Sequence, residues 1–225
     1  MALLATTVVW ATCSGLGAAF LITASRSRRL LAVIPLVTVL WVAPTFLIAA
    51  VVQEVQFLIY SATGTPVGGA YGTVSALQVL WASVVLGIRP AAYIFRQARV
   101  TLDLEETADH VRAARARGLP WGRIAARHIF RPAAATIATG WLSSFRLMIG
   151  SLPLVEFFFA YPGFGQLLVL SLGVGYGDNP PQPQPQLAIA LVVAMAVVLV
   201  LIEAAVGMLQ TRLDPRLRDL QLEKA

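Results

Sequence analysis

The sequence is short of charge, of cysteine and of lysine, and each shortage excludes a class of protein or site. Only 12% of its 225 residues are charged and 58% are hydrophobic, whereas soluble domains carry about 25% charged residues. Cys13 is the single cysteine, which excludes an internal disulfide and any multi-cysteine metal site, so we interpret it as a packed thiol. Lys224 is the only lysine, and the sequence contains no G-x-x-x-x-G-K-[ST] loop for ATP phosphates. Together with a mean hydropathy of +0.75, these shortages predict an integral membrane protein.

The basic residues are distributed unevenly along the chain, and their positions predict topology. The net charge is +6, yet residues 51–88 and 147–211 contain no lysine or arginine. Cytoplasmic segments of membrane proteins carry an excess of these residues. We therefore expect the basic clusters at 26–29, 89–131 and 212–224 to be cytoplasmic. The basicity indicates orientation in membrane lipid and gives no reason to expect a nucleic-acid partner.

Five apolar segments are long enough to cross a bilayer, which takes about 20 mostly apolar residues. The sequence predicts an all-α fold with a single transmembrane domain over 1–225, an outside N-terminus and a cytoplasmic C-terminus in a multi-pass plasma membrane protein. An outer loop is expected at 159–186, with the alternating proline and glutamine of 180–186 in an extended conformation. The predicted spans are 6–25, 30–52, 74–95, 133–158 and 187–209.

Residues 104–131 form the longest charged region of the chain and are predicted to lie on the cytoplasmic face. Glu105 and Glu106 suit the first turn of a helix. Gly118 is typical of a helix end, and Pro120 is a favoured first residue of the next helix. The pattern predicts two short helices meeting at an exposed bend. The residues alone leave two interpretations. The segment is either a surface loop whose arginines fix the membrane topology or a protruding element that docks in a groove of a soluble partner.

This charged segment resembles the EAA loop of ABC-importer permeases, in which two alanines precede a glycine. Ala113, Ala114 and Gly118 have that spacing. The stretch VRAARARGLPWGRIAARHIFRPA is similar to the dipeptide, oligopeptide and nickel branch, in which a histidine and an arginine follow, as His128 and Arg131 do here. Later matches are VEFFFAYPGFGQLL, an aspartate before a proline at 178–180, and LDPR at 213–216. The resemblance covers about residues 6–218.

The chain departs from the pattern of this branch at a few positions. Arg112 replaces the acidic residue that names the loop, Arg117 replaces a more usual lysine, and Pro132 stands where asparagine is common. Family members usually have six spans. We therefore expect either a short five-span permease or a sequence that lacks the family's first span.

The resemblance implies a membrane permease subunit of an ATP-driven importer in a prokaryote. It would form the pathway with a second permease, expected to be a different chain, and two ATPase subunits would bind ATP and Mg²⁺ while this chain binds no cofactor and no metal. An extracytoplasmic binding protein would deliver peptides, with nickel or haem left open as cargo. The residues expected to couple to the ATPases are Ala113, Ala114, Arg115, Arg117, Gly118, Leu119 and Trp121.

Charges inside or near the predicted spans are further candidates for pathway or partner contacts. Such charges are costly unless they are paired or face water. Arg146 is expected either to line the pathway and meet a peptide carboxylate or to pair with the partner permease. The helical rise sets it at a depth about 10 Å different from that of Glu203, so their spacing does not require a mutual pair. Glu156 would cap local backbone or bind a partner, and Pro162 and Gly163 belong to a re-entrant turn, to a gate or to a contact with the binding protein.

Two alternatives from other classes are an intramembrane enzyme and a secondary transporter. An enzyme would need clustered carboxylates, histidine pairs or a nucleophile elbow, and His110 and His128 lack metal-ligand spacing. A secondary transporter would usually show internal repeats with helices broken in matching halves. The sequence shows neither pattern. We therefore expect no catalytic residues in this chain.

Overall fold

The computed structural model describes residues 2–25, 33–65, 75–176 and 180–213, and this part of the chain is helical without strands. The basic clusters at 26–29 and 214–224 and the aspartate at 178 lie outside the described residues. The helices are α1 (Ala2–Ser25), α2 (Val33–Val42), α3 (Thr45–Thr63), α4 (Ala76–Thr107), α5 (Asp109–Ala116), α6 (Trp121–Ile124), α7 (Arg131–Phe158), α8 (Phe164–Ser171) and α9 (Pro185–Leu213), with a π-helical turn at Ala125–Phe130 between α6 and α7. The predicted all-α fold is confirmed.

Helix α4 lies at the centre of the fold and packs against α1 and α7. Glycines bring α1 and α4 close together: a Cβ on Gly15 would lie 2.7 Å from the Ala91 carbonyl oxygen, and one on Gly87 would lie 2.6 Å from the Trp10 ring. Small residues permit such close approach, which drives helix association in membranes. The two glycines therefore allow α1 and α4 to form a closely packed helix pair.

Four helical segments of the described chain are long and apolar enough to cross a membrane: Ala2–Thr23, Thr45–Thr63, Ala76–Thr107 and Pro185–Ala205. Helix α7 was predicted as a further span and has 28 residues, about 42 Å at 1.5 Å per residue. It is not among the four, since Arg146, Glu156 and several serines and threonines lower its hydropathy. The predicted span at 133–158 is thus a single long helix, α7, and its crossing of the membrane stays a prediction.

The segment predicted as one span over 30–52 is two helices in the structure. Helix α2 ends at Val42, and α3 begins at Thr45 with Pro44 as its extended N-cap (φ −61°, ψ 138°). Proline has no N–H to donate and disfavours helix in the residue before it, so the helix breaks here. Helix α3 then continues to Thr63, so Gln53 and Glu54, which follow the predicted end of the span at 52, lie inside a helix.

Two clusters of buried apolar side chains lie along opposite halves of α4. One joins Phe95 and Leu102 of α4 to Val111, Ala114 and Ile124 of the short helices. The other joins Ala82 and Leu86 of α4 to Val155 of α7 and to Phe159 and Tyr161, which follow that helix. Each cluster supports one of the two sharp bends of the chain, and these bends hold most of the candidate residues.

The predicted outer loop 159–186 contains a helix that sequence reasoning missed. Helix α8 has eight residues, Phe164–Ser171, and packs against α7 and α9. A run as short as FGQLLVLS has no pattern long enough to distinguish a helix from a buried turn. Residues 180–184 are not helical, but Pro185, at the end of the proline-rich run, starts α9.

Candidate functional site

The bend between α5 and α6, which we call the α5–α6 bend, consists of residues 116–121 and is fixed by backbone hydrogen bonds. The Gly118 N–H donates to the Arg115 carbonyl at 2.9 Å, and the Leu119 N–H donates to the Ala114 carbonyl at 3.4 Å. Gly118 has φ +73°. This combination is a Schellman C-cap, in which glycine supplies the left-handed residue. The predicted helix–bend–helix geometry is therefore present.

The predicted coupling residues divide into a supporting set and an outward-facing set. Ala114 is buried, and Leu119 and Trp121 are partly buried against the apolar cluster that contains Val111. Their side chains hold the bend on the body of the protein. The outward-facing residues that were predicted are Ala113, Arg115, Arg117 and Gly118.

Arg115 ties the two short helices to the end of α4. Its guanidinium Nη2 lies 2.9 Å from Glu106 Oε1, and its Cζ lies 4.9 Å from the centroid of the Trp121 ring. The ion pair and the cation–π contact together hold the side chain in one place. Arg112 makes only a 3.4 Å contact to Asp109, with both side chains largely exposed. Arg115 was predicted to couple to the ATPases. The structure shows in addition that it contacts Glu106 and Trp121 within this chain.

His110 and His128, 18 residues apart, meet across the loop. His110 Nε2 donates to the His128 carbonyl oxygen at 2.8 Å and lies 3.7 Å from Glu105 Oε2. Pro132, four residues after His128, has no N–H to donate to the His128 carbonyl, and His110 supplies a donor instead. Within the described residues, no group of three metal-ligating side chains forms around them. These histidines brace the loop against the start of α7.

The turn between α7 and α8, which we call the α7–α8 turn, consists of residues 159–165 and is built around buried Glu156. Glu156 Oε2 accepts from the Gly165 N–H at 2.7 Å and the Gln166 N–H at 3.2 Å. These N–H groups belong to the first turn of α8, where a carboxylate is favoured. Of the two roles considered for Glu156, the geometry supports the cap of local backbone.

Two positions of this turn must be glycine, because neighbouring atoms leave no room for a Cβ. A Cβ on Gly163 would lie 2.2 Å from Glu156 Oε1, and a Cβ on Gly165 would lie 2.4 Å from the Pro153 Cα. Pro162, immediately before Gly163, is exposed. This geometry is a tight turn, and the predicted roles of Pro162 and Gly163 in a re-entrant turn, a gate or a binding-protein contact stay predictions.

The carbonyls that end α7 are satisfied by side chains from three other segments. Gln53 of α3 donates to the Phe158 carbonyl, Gln78 of α4 to the Phe159 carbonyl, and the Tyr176 hydroxyl to the Phe157 carbonyl. Unsatisfied carbonyls at a helix end are costly inside a membrane protein. Sequence reasoning missed these three side chains, and glutamines inside apolar segments were the available signal.

Arg146 and Glu203 form an ion pair between α7 and α9. Arg146 Nε lies 2.6 Å from Glu203 Oε1, while 60% and 48% of the two side chains remain exposed. The depth difference inferred from helical rise is therefore wrong as a guide to their separation. That inference counted from predicted helix ends, and α9 begins two residues earlier and continues beyond 209 to Leu213.

Residues 11–219 match the family described as the binding-protein-dependent transport system inner membrane component. The chain belongs to this family. The resemblance drawn from the loop motif is thus confirmed, and the helical, membrane-type fold is the one expected of such a permease.

Relatives within the permease family carry names that refer to peptides. The chain is 36% identical over 92 residues to the oligopeptide transport system permease protein AmiC of Streptococcus pneumoniae, which covers 40% of this chain and 18% of AmiC. It is 31% identical over 88 residues to putative peptide transport system permease proteins of Brucella abortus and Brucella suis, covering 39% of this chain and 28% of each relative. The matches therefore span less than a third of the length of these relatives.

Proposed function

We propose that this chain is a permease subunit of an ATP-driven importer that carries peptides into the cytoplasm of a prokaryote. It forms the translocation pathway with a second permease, which is a different chain. Two ATPase subunits bind ATP and Mg²⁺, and an extracytoplasmic binding protein delivers the cargo. Support comes from the family match and from the names of the relatives.

The observation that carries the coupling part of the proposal is the α5–α6 bend. Its supporting side chains are buried, whereas Ala113, Arg117 and Gly118 are exposed on the opposite side. The Schellman cap and the apolar cluster make the bend rigid. A force applied to its exposed surface can therefore move the helices beneath it. We infer that it fits a groove on an ATPase, so closure of the ATPase dimer moves α4 and α7 through the bend.

The proposed orientation places this bend in the cytoplasm, with the N-terminus outside and the C-terminus inside. The basic clusters support it, because the arginines of 89–131 collect at this end of the molecule and the α7–α8 turn has none. The α7–α8 turn then faces the binding protein.

Substitution of Gly118 by valine tests the proposal. Space around Gly118 is open, so valine is opposed by the backbone conformation at φ +73°, at a cost of about 1–3 kcal/mol. We expect the variant to insert and to assemble with both ATPases, but peptide uptake driven by ATP in proteoliposomes should fall by about tenfold or more, as expected when about 1.4 kcal/mol of coupling free energy is lost.

Two control variants separate coupling from general damage. Gly118→Asn should retain most transport, because asparagine tolerates the left-handed region. Gly122→Ala adds a Cβ in open space on α6 and should be close to wild type. Wild-type uptake by Gly118→Val would contradict the coupling role, and uptake without ATP would favour a secondary transporter.

A further inference from the structure

Helix α7 carries a polar stripe on the side that faces away from the rest of the chain, which we define as Thr136, Thr139, Ser143 and Arg146. The spacing of three or four residues keeps these positions on one face of a helix. Ser143 is partly exposed and the other three are exposed. The opposite face, with Ile137 and Met148 among its residues, is buried against the body of the protein. The polar face of the helix is therefore exposed on the surface of this subunit.

The outward face of α9 is entirely different in character. Val193, Val197 and Leu201 are each more than half exposed, and an apolar surface of this kind suits lipid tails. The polar stripe suits them less, because the Arg146–Glu203 pair leaves about half of each charged side chain exposed, and exposed charge in hydrocarbon is costly. From Thr136 to Arg146 the stripe extends about 15 Å, about half of the roughly 30 Å of a hydrocarbon core. A stripe of this polarity suits water better than lipid tails.

The Arg146–Glu203 pair stands at the side of this stripe and leaves hydrogen-bonding capacity unused. The contact joins Arg146 Nε to Glu203 Oε1. Among the described residues, neither the two terminal NH₂ groups of Arg146 nor Glu203 Oε2 makes a further hydrogen bond or ion pair. The terminal groups of arginine form a fork that binds a carboxylate in a bidentate manner. A free carboxylate oxygen beside it can accept from an ammonium group.

We propose that the polar stripe lines a water-filled passage and that the Arg146–Glu203 pair binds the end groups of a zwitterionic solute such as a short peptide. The α-carboxylate meets the fork of Arg146, and the α-ammonium meets Glu203. Because the two side chains neutralise one another, the site attracts a zwitterion without trapping anions or cations. The proposal rests on the importer function and deepens it by naming the substrate contact.

Cysteine accessibility tests the passage, and only one native cysteine has to be removed, Cys13, which is exposed and not packed as the sequence suggested. In a Cys13→Ala background, Ser143→Cys is compared with Val197→Cys on the apolar face of α9, both in the purified complex in nanodiscs with and without ATP. A charged, membrane-impermeant methanethiosulfonate should modify Ser143→Cys about tenfold faster or more, since only the thiolate reacts and hydrocarbon suppresses it. Equal rates, or no reaction at position 143 in either state, would overturn the passage. Reaction in the isolated subunit but not in the complex would also overturn it and assign the stripe to contact with the second permease.

Protection of that cysteine tests the end-group site without relying on the binding protein. Dialanine at millimolar concentration should slow modification of Ser143→Cys several-fold, whereas N-acetyl-dialanine amide, which lacks both end charges, should not. Adding Arg146→Gln or Glu203→Gln should abolish protection, and the charge-swapped pair Arg146→Glu with Glu203→Arg should restore part of it. Equal effects of the two peptides would refute the end-group site. Failure to purify with ATPases would refute the importer function separately, because the labelling pattern does not depend on ATP hydrolysis.

Discussion

The two sharp bends of this molecule use glycine for opposite reasons. In the α5–α6 bend, Gly118 has φ +73° and open space where a Cβ would lie. In the α7–α8 turn, Gly163 has an ordinary extended φ of −154°, but Glu156 occupies the space of a Cβ. One glycine is needed for its backbone conformation and the other for its small size.

The difference separates a surface that is open to a partner from a turn that is closed on itself. The α5–α6 bend is supported from beneath and leaves its outer side free, as a docking element requires. The α7–α8 turn fills its interior with Glu156 and satisfies backbone groups with glutamines from α3 and α4. We therefore expect substitutions in the turn to damage folding, and those in the bend to damage coupling.

Gly165→Val should have the largest effect on stability. The new side chain would overlap Pro153, because a Cβ at position 165 would lie 2.4 Å from the Pro153 Cα, and backbone atoms cannot give way easily. Overpacking of this kind costs about 1–3 kcal/mol or more. The yield of folded subunit, measured by size-exclusion chromatography in detergent, should fall strongly, whereas Gly17→Ala, which meets open space, should not change it. Normal yield of Gly165→Val would show that the turn is not closed.

Glu156→Ala should have the next largest effect. It removes the acceptor of the Gly165 and Gln166 N–H groups, and an unsatisfied buried donor costs about 1–3 kcal/mol. The thermal unfolding temperature of the complex should fall by several degrees, while ATPase binding persists. Glu54→Ala, at an exposed position of α3, is the matched control. An unchanged unfolding temperature for Glu156→Ala would argue against the cap.

Arg115→Ala should have the smallest effect on stability. It removes a partly exposed ion pair and a cation–π contact, and exposed ion pairs are worth about 0.2–1 kcal/mol. Hydrogen exchange at the backbone of residues 115–121 should become faster, with little change elsewhere. Arg112→Ala should leave exchange there unchanged, because its contact to Asp109 is largely exposed. A larger increase in hydrogen exchange from Arg112→Ala than from Arg115→Ala would contradict the stabilising role assigned to Arg115.

The membrane fold and the α5–α6 bend were predictable from sequence because their signals are local. Charge placement, apolar length and the order of alanines, glycine and proline around Gly118 each have a direct physical meaning. The break at Pro44 was underestimated, because proline is tolerated in membrane helices when neighbouring groups satisfy the backbone. Sequence alone does not show whether such neighbours exist.

The α7–α8 turn and the Arg146–Glu203 pair depend on contacts between distant residues, so sequence spacing could not predict them. Gln53 and Gln78 are 105 and 81 residues from the carbonyls that they satisfy. The separation of Arg146 from Glu203 depends on how α7 and α9 are offset along one another. Helical rise fixes distances within a helix but not between two helices.

The most direct test of the central claim compares partners at the two bends. A photo-reactive benzoylphenylalanine is introduced at Ala113 in the α5–α6 bend or at Phe164 at the edge of the α7–α8 turn, both exposed, and cross-linked products of the intact transporter are identified by mass spectrometry. We predict that position 113 cross-links to an ATPase subunit and that position 164 does not. Cross-linking of the ATPase to position 164, or its absence at position 113 in an assembled complex, would contradict the assignment of the α5–α6 bend as the coupling surface.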